Sequence, residues 1–188
     1  MAQAVANVAR RINETMEEGR DCLDLSDCDL ISFPDGIFKM LRSCTDNIHK
    51  ITLANNQLKA LGNKFFHTFS QLQDLDVQGN VLTSLPDAVG DVEHLISINL
   101  SKNRLAVFPE RLTRVKSLQN INVEGNQITG DTSRNLFYRH QTFCPHVLAL
   151  VGNIQEGFVS FVLSTSSRIY FESDQQHLYI CVAHTHPP

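Results

Sequence analysis

One eleven-residue pattern is written five times along this chain, and it constrains the fold more than anything else in it. The clearest copy is Ile48-His49-Lys50-Ile51-Thr52-Leu53-Ala54-Asn55-Asn56-Gln57-Leu58: apolar side chains at the first, fourth, sixth and last places, asparagine at the ninth. It recurs at Leu72 to Leu82, Leu95 to Leu105 and Leu118 to Ile128, with a degenerate first copy around Leu23, Leu25, Cys28 and Leu30. The ninth positions Cys28, Asn56, Asn80, Asn103 and Asn126 are separated by 28, 24, 23 and 23 residues. A unit this short cannot bury its apolar side alone, so a near-constant period predicts units stacked into a solenoid with an extended inner face.

Each place in the unit has a physical task. Leu75 and Val77, and Ile98 and Leu100 one unit later, alternate with polar residues, as a strand with one buried side requires. Asp76, Asn99 and Asn122 are expected on the opposite, concave side. The ninth-place asparagine can satisfy backbone groups where the chain leaves the strand, since buried N–H and C=O groups need partners. Cys28 stands in for it in the first unit and is read as structural.

Between the strands, Phe33-Pro34-Asp35-Gly36-Ile37, Leu85-Pro86-Asp87-Ala88-Val89 and Phe108-Pro109-Glu110-Arg111-Leu112 share the form apolar-Pro-acidic-x-apolar. Proline suits the first position of a helical turn, where its missing donor would be unpaired anyway, and the acidic residue after it complements the positive end of that turn. With the period, these segments resemble the 23-residue class of leucine-rich repeats found in intracellular Ras-suppressor-like and plant Ras-group proteins. The resemblance covers residues 2 to about 128. It implies an α/β solenoid, a right-handed leucine-rich-repeat superhelix, in which the asparagines stack as a ladder and the chain serves as an interaction scaffold.

Three local features depart from the plain repeat. Val5, Val8, Ile12 and Met16 form one stripe of a helix with charged residues elsewhere, and Gly19 stops it. This helix, residues 1–19, is expected to cap the first of five repeats spanning 20–129; a membrane-surface or partner-binding helix is the alternative. The segment Lys39 to Asn47 lengthens the first period and is read as a longer convex helix, or else a functional loop. Phe65, Phe66 and Phe69 replace the Pro-containing turn and are expected to pack on the core.

After Thr129 the writing changes: residues 130–188 hold no lysine, three arginines and five of the eight histidines. Leu148-Ala149-Leu150-Val151-Gly152-Asn153 keeps part of the pattern, but Gln155 stands where the closing leucine belongs. Phe158 to Leu163, Arg168 to Phe171 and Leu178 to Ala183 are β-prone runs. The tail is read as an alternative terminal segment, with a divergent β-rich cap as the other possibility; Leu148-Ala149-Leu150 is the favoured sixth strand if it shields the last unit.

Composition excludes several function classes. A net charge of −4 with no basic stripe along the strand face argues against nucleic acid. The N-terminus has no apolar stretch of the kind a secretory signal needs, and no segment approaches a membrane span. Five cysteines without paired spacing fit a reducing, cytoplasmic setting. No phosphate-cradling glycine loop, nucleophile elbow or H-E-x-x-H is present, so no enzyme and no cofactor are expected. Cys144-x-His146 and Cys181-x-x-His184-x-His186 have metal-ligand residue types at spacings that match no common finger, and a metal-binding tail is the weakest reading.

The leading expectation is therefore a non-enzymatic scaffold, monomeric unless its C-terminal edge is bare, that binds another protein or peptide. Its surface is the strand face: Asp24, Lys50, Thr52, Asp74, Asp76, Gln78, Ser97, Asn99, Ser101, Asn120, Asn122 and Glu124. That face is polar, acidic at Asp24, Asp74 and Asp76, and without the Trp, Tyr and Arg anchors of tight interfaces. The alternative is a structural or regulatory subunit that binds through the convex side or the ends.

Overall fold

The structure is a computed structural model that describes residues 2–128 and, beyond them, the four strands Ala149–Ile154, Gly157–Phe161, Ser167–Asp174 and His177–His184; side chains are described for residues 6–128. A helix α1 (Ala2–Glu17) leads into five short strands, β1 (Cys22–Asp24), β2 (Lys50–Thr52), β3 (Asp74–Asp76), β4 (Ser97–Asn99) and β5 (Asn120–Val123). All neighbouring pairs among them are parallel and in strict register, so Leu23, Ile51, Leu75, Ile98 and Ile121 form one buried row. The next apolar place, Leu25, Leu53, Val77, Leu100 and Val123, is a second buried row between 0 and 4% exposed. The architecture is a leucine-rich-repeat solenoid with one continuous apolar core.

The return paths are helical turns whose form follows the local sequence. Unit one has α2 (Asp35–Met40), unit two has α3 (Asn63–Thr68), and units three and four have single 3-10 turns at Asp87–Asp91 and Glu110–Arg114. Pro34, Pro86 and Pro109 sit one residue earlier than expected, as N-caps with φ near −70° and with ψ extended at Pro34 and Pro86 and 89° at Pro109, and the acidic residue takes the first helical place. The Lys39 to Asn47 insertion is not a longer helix: α2 ends at Met40, and the extra length is spent on a turn and a second 3-10 turn, Thr45–Asn47. Phe65, Phe66 and Phe69 are buried, and Phe65 and Phe69 meet the Phe33 ring edge-on at 5.0 and 6.1 Å.

Helix α1 packs on β1 through Val8 and Ile12. The third buried position is Thr15, not Met16, which is 38% exposed; the Thr15 hydroxyl is satisfied by donating to the Arg11 carbonyl at 2.9 Å. The helix ends in a Schellman motif: Arg20 N–H donates to Thr15 O at 3.0 Å, Gly19 N–H to Met16 O at 3.3 Å, and Gly19 takes φ +59°. At the other end, β6 (Ala149–Ile154) pairs parallel with β5, Ile121 opposite Leu150. It is followed by β7 (Gly157–Phe161), β8 (Ser167–Asp174) and β9 (His177–His184) in the order β6-β7-β9-β8.

Candidate partner-binding face

The strand face is built from two parallel rows of side chains, fixed by strand register. The first is Cys22, Lys50, Asp74, Ser97 and Asn120; the second is Asp24, Thr52, Asp76, Asn99 and Asn122. Gln78, Ser101 and Glu124 follow just beyond the strand ends. Sequence reasoning brings all twelve candidate residues to one side of the sheet, but treats them as equivalent. They are not.

Four of the five residues in the second row are committed to the chain's own backbone. Asp24 Oδ1 accepts from the Ser26 N–H at 2.9 Å and the Ser26 hydroxyl at 2.7 Å. Asp76 Oδ1 accepts from the Gln78 N–H at 2.9 Å, Asn99 Oδ1 from the Ser101 N–H at 3.1 Å and hydroxyl at 2.8 Å, and Asn122 Oδ1 from the Glu124 N–H at 3.0 Å. These are Asx turns that close the strand in the first, third, fourth and fifth units, the kind of local bond short polar side chains make with the backbone two residues on; Thr52 of the second unit makes none. Ser101, expected on the surface, is only 4% exposed and points its hydroxyl into this turn.

The acidic patch expected at Asp24, Asp74 and Asp76 is largely compensated. Asp74 is 3.6 Å from Lys50 Nζ, and Asp24 is 3.2 Å from Arg11 of helix α1. Arg11 also donates to the Ser26 carbonyl at 2.9 Å, so it ties the helix to the strand end; nothing periodic in the sequence marks it for that role. Desolvation pushes the Asp24 carboxyl up, but the two Ser26 hydrogen bonds and the Arg11 charge outweigh it, and Asp24 titrates below its ordinary range. Cys22 is half-buried; desolvation, then the charges of Asp24 and Asp21, push its thiol up, which keeps it protonated.

A shallow open depression follows the middle of this face, lined by Cys22, Lys50, Thr52, Asp74, Asp76, Ser97 and Asn99. In it Lys50 and Asp74, paired with each other, are about half exposed, and Ser97 is half-buried. Among the described residues no group of three or more His, Cys, Asp or Glu side chains could hold a metal ion. Cys144, His146, Cys181, His184 and His186 have side chains outside the described residues. No described helix is long and apolar enough to cross a membrane.

Fold, register and period are those of a leucine-rich-repeat solenoid, and residues 46–105 match the family model described as leucine rich repeat. Within that class the chain resembles leucine-rich repeat-containing protein 20: it is 56% identical to the human protein over 95 residues, 50% of this chain and 52% of that one. The mouse protein of that name is 55% identical over 94 residues, 50% of this chain and 51% of that one. The chain thus spans about half the length of the curated relatives it matches. Among solved structures, a Leptospira interrogans leucine-rich-repeat protein superposes with a TM-score of 0.53 at 23% identity, over 68% of this chain and 30% of that one. The leucine-rich repeat domain of APL1B superposes with a TM-score of 0.58 at 17% identity, over 81% of this chain and 40% of that one. At such identities these two establish the shared fold alone.

Proposed function

We propose that the chain is a non-enzymatic protein-binding scaffold whose partner lies along the row Lys50, Asp74, Ser97 and Asn120 of the strand face. The observation that carries this is the division of labour between rows. Asp24, Asp76, Asn99 and Asn122 spend an oxygen on the backbone, whereas among the described residues Lys50, Asp74, Ser97 and Asn120 make no side-chain bond to it. Its Lys50–Asp74 pair has side chains 54 and 43% exposed, so an incoming charge can re-pair with either member at little cost. An extended polar peptide segment fits such a shallow row better than a bulky apolar anchor does.

On this reading residues 1–19 are an N-terminal cap, 20–129 the repeats, and 130–188 a tail whose first strand covers the last unit. The right-handed superhelix and a cytoplasmic setting belong to the same proposal; unpaired Cys22, Cys28 and Cys44 accord with a reducing compartment. The convex side is the second reading, because Phe33 and Phe38 are only partly buried there and Lys64 Nζ lies 4.5 Å from the Phe38 ring centroid.

Comparative proximity labelling decides between them. Lys50→Glu with Asp74→Lys and Ser97→Arg should remove the partners that the unaltered chain labels, while Lys64→Glu on the convex side should keep them. The reverse pattern would place the interface on the helical turns.

A further inference from the structure

The loop that leaves each strand carries two further rows along one edge of the solenoid. In the first, the N–H of Asp27 donates to Ala54 O at 3.0 Å, that of Asn55 to Gln78 O at 2.9 Å, that of Gly79 to Ser101 O at 3.0 Å and that of Lys102 to Glu124 O at 2.7 Å. The repeated bond places Asp27, Asn55, Gly79 and Lys102 at one structural position in four successive units. All four have left-handed φ, 51, 55, 65 and 54° respectively, so the side chains of Asp27, Asn55 and Lys102 leave the backbone in the same direction. In the second row, Gln57, Val81, Arg104 and Gln127 donate to Leu30, Leu58, Leu82 and Leu105 at 2.8, 3.1, 2.9 and 2.9 Å, which puts Asp29 in the first unit and Arg104 in the fourth on one line, Asp29 itself with left-handed φ of 52°.

Charge along this edge is segregated. The first unit presents Asp27 and Asp29, the second and third present no charge, the fourth presents Lys102 and Arg104, and the fifth, with Gly125 and Gln127, again none. All four charged residues are exposed, and none forms an ion pair with a described residue. At a strand spacing of about 4.8 Å, the acidic and basic ends lie about 14 Å apart along the edge. Such an edge is its own complement. A two-fold axis between the second and third units lays Asp27 and Asp29 of one copy against Lys102 and Arg104 of the other, and the same contact repeats at the far end. The middle of the contact, Asn55 and Gln57 against Gly79 and Val81, brings no like charges together.

We propose that this edge is a self-association surface on which a second copy of the chain docks antiparallel, through two symmetric clusters of Asp27 and Asp29 with Lys102 and Arg104. The patch is small, so the dimer is weak and transient, and the monomer expected from the sequence is its low-concentration form. Because the contact is made by exposed charges, its strength falls with ionic strength.

Sedimentation velocity of the full chain over a concentration series, at about 20 mM and about 300 mM salt, tests this. The expected result is a monomer–dimer equilibrium that weakens about tenfold or more at the higher salt. Two variants make the test specific: Asp27→Lys with Asp29→Lys gives an all-basic edge, and Lys102→Asp with Arg104→Asp an all-acidic one. Lys102 and Asp27 already place lysine and aspartate in left-handed backbone, and Asp29 is a second left-handed aspartate at φ 52°, so both variants should melt close to the parent, which thermal melts check before sedimentation. Each alone should be monomeric at low salt, and an equimolar mixture should dimerise again. A parent chain that stays monomeric at low salt up to about 1 mM overturns the proposal. So does a variant that self-associates undiminished, which would assign association to another surface such as the tail strands, or a mixture that remains monomeric.

Discussion

Asn80 is bonded to Leu53 of the preceding unit: its side-chain amide donates to the Leu53 carbonyl at 2.9 Å, and its oxygen accepts from the Leu58 N–H at 2.9 Å. The same amide also reaches Val77 O at 3.0 Å within its own unit. Asn56, Asn103 and Asn126 repeat this geometry, each joining two units by bonds between buried groups. The ladder thus does what a side-chain methyl cannot, by pairing donors and acceptors that the short strands leave over. Cys28 can take this place because no unit precedes it. Its thiol needs only to donate to Ser26 O at 3.3 Å, while Asn56 from the next unit serves the Cys28 N–H at 3.0 Å.

Replacing Asn80 by Ala should therefore destabilise the chain by about 3 kcal/mol or more, since it strands several buried backbone groups at about 1–3 kcal/mol each. Asn80→Cys should fall between Ala and the parent, since it can keep a within-unit bond but not the bond to Leu53. Urea denaturation measures both. An Asn80→Cys variant as stable as the parent would show that the link between units contributes nothing.

Leu100 tests the core that the ladder encloses. It is fully buried between Val77 and Val123 of the neighbouring units, and Leu100→Ala should cost about 2–5 kcal/mol. Chemical denaturation giving a shift below about 0.5 kcal/mol would remove the position from the core.

How much of this was legible in the sequence differs by the kind of interaction. The buried rows were readable because apolar burial is a property of residue type and spacing, and Leu53, Val77, Leu100 and Val123 all lie inward. The strand face was harder. Asp76, Asn99 and Asn122 look like free polar residues in a sequence, yet the backbone curls so that the N–H two residues on meets their oxygens. Arg11 was invisible as a contributor because its target, the Ser26 carbonyl, is 15 residues away and fixed by how α1 docks on β1. Pro34, Pro86 and Pro109 were misplaced by one residue, since composition cannot separate an N-cap from the first helical place.

Two glycines should respond oppositely to alanine. Gly79 has φ +65°, and a Cβ there would lie 2.7 Å from Asn55 Oδ1, so Gly79→Ala combines left-handed strain with a collision and should cost about 1–2 kcal/mol or more. Gly36 lies inside α2 with nothing within 4 Å of an added Cβ and no positive φ. Gly36→Ala should stabilise by about 0.4–1 kcal/mol, chiefly by restricting the unfolded chain. Thermal melts of the two variants, shifted down and up respectively, check both.

Acid should expose the role of Asp24. Its folded carboxyl titrates below the ordinary value of 3.8, the Ser26 bonds and Arg11 prevailing over desolvation. A depressed folded pKa means the contribution is present above 3.8 and is lost as pH falls through the lower folded value. Asparagine can accept the same bonds, as Asn99 and Asn122 do in later units, but cannot attract Arg11 by charge. Asp24→Asn should therefore be slightly less stable than the parent at neutral pH. The gap should close below pH 3.8, where the parent carboxyl also becomes neutral. Paired urea titrations across that range read the difference directly. A gap independent of pH would mean that the loss comes from altered hydrogen bonding with Ser26 rather than from the carboxylate charge.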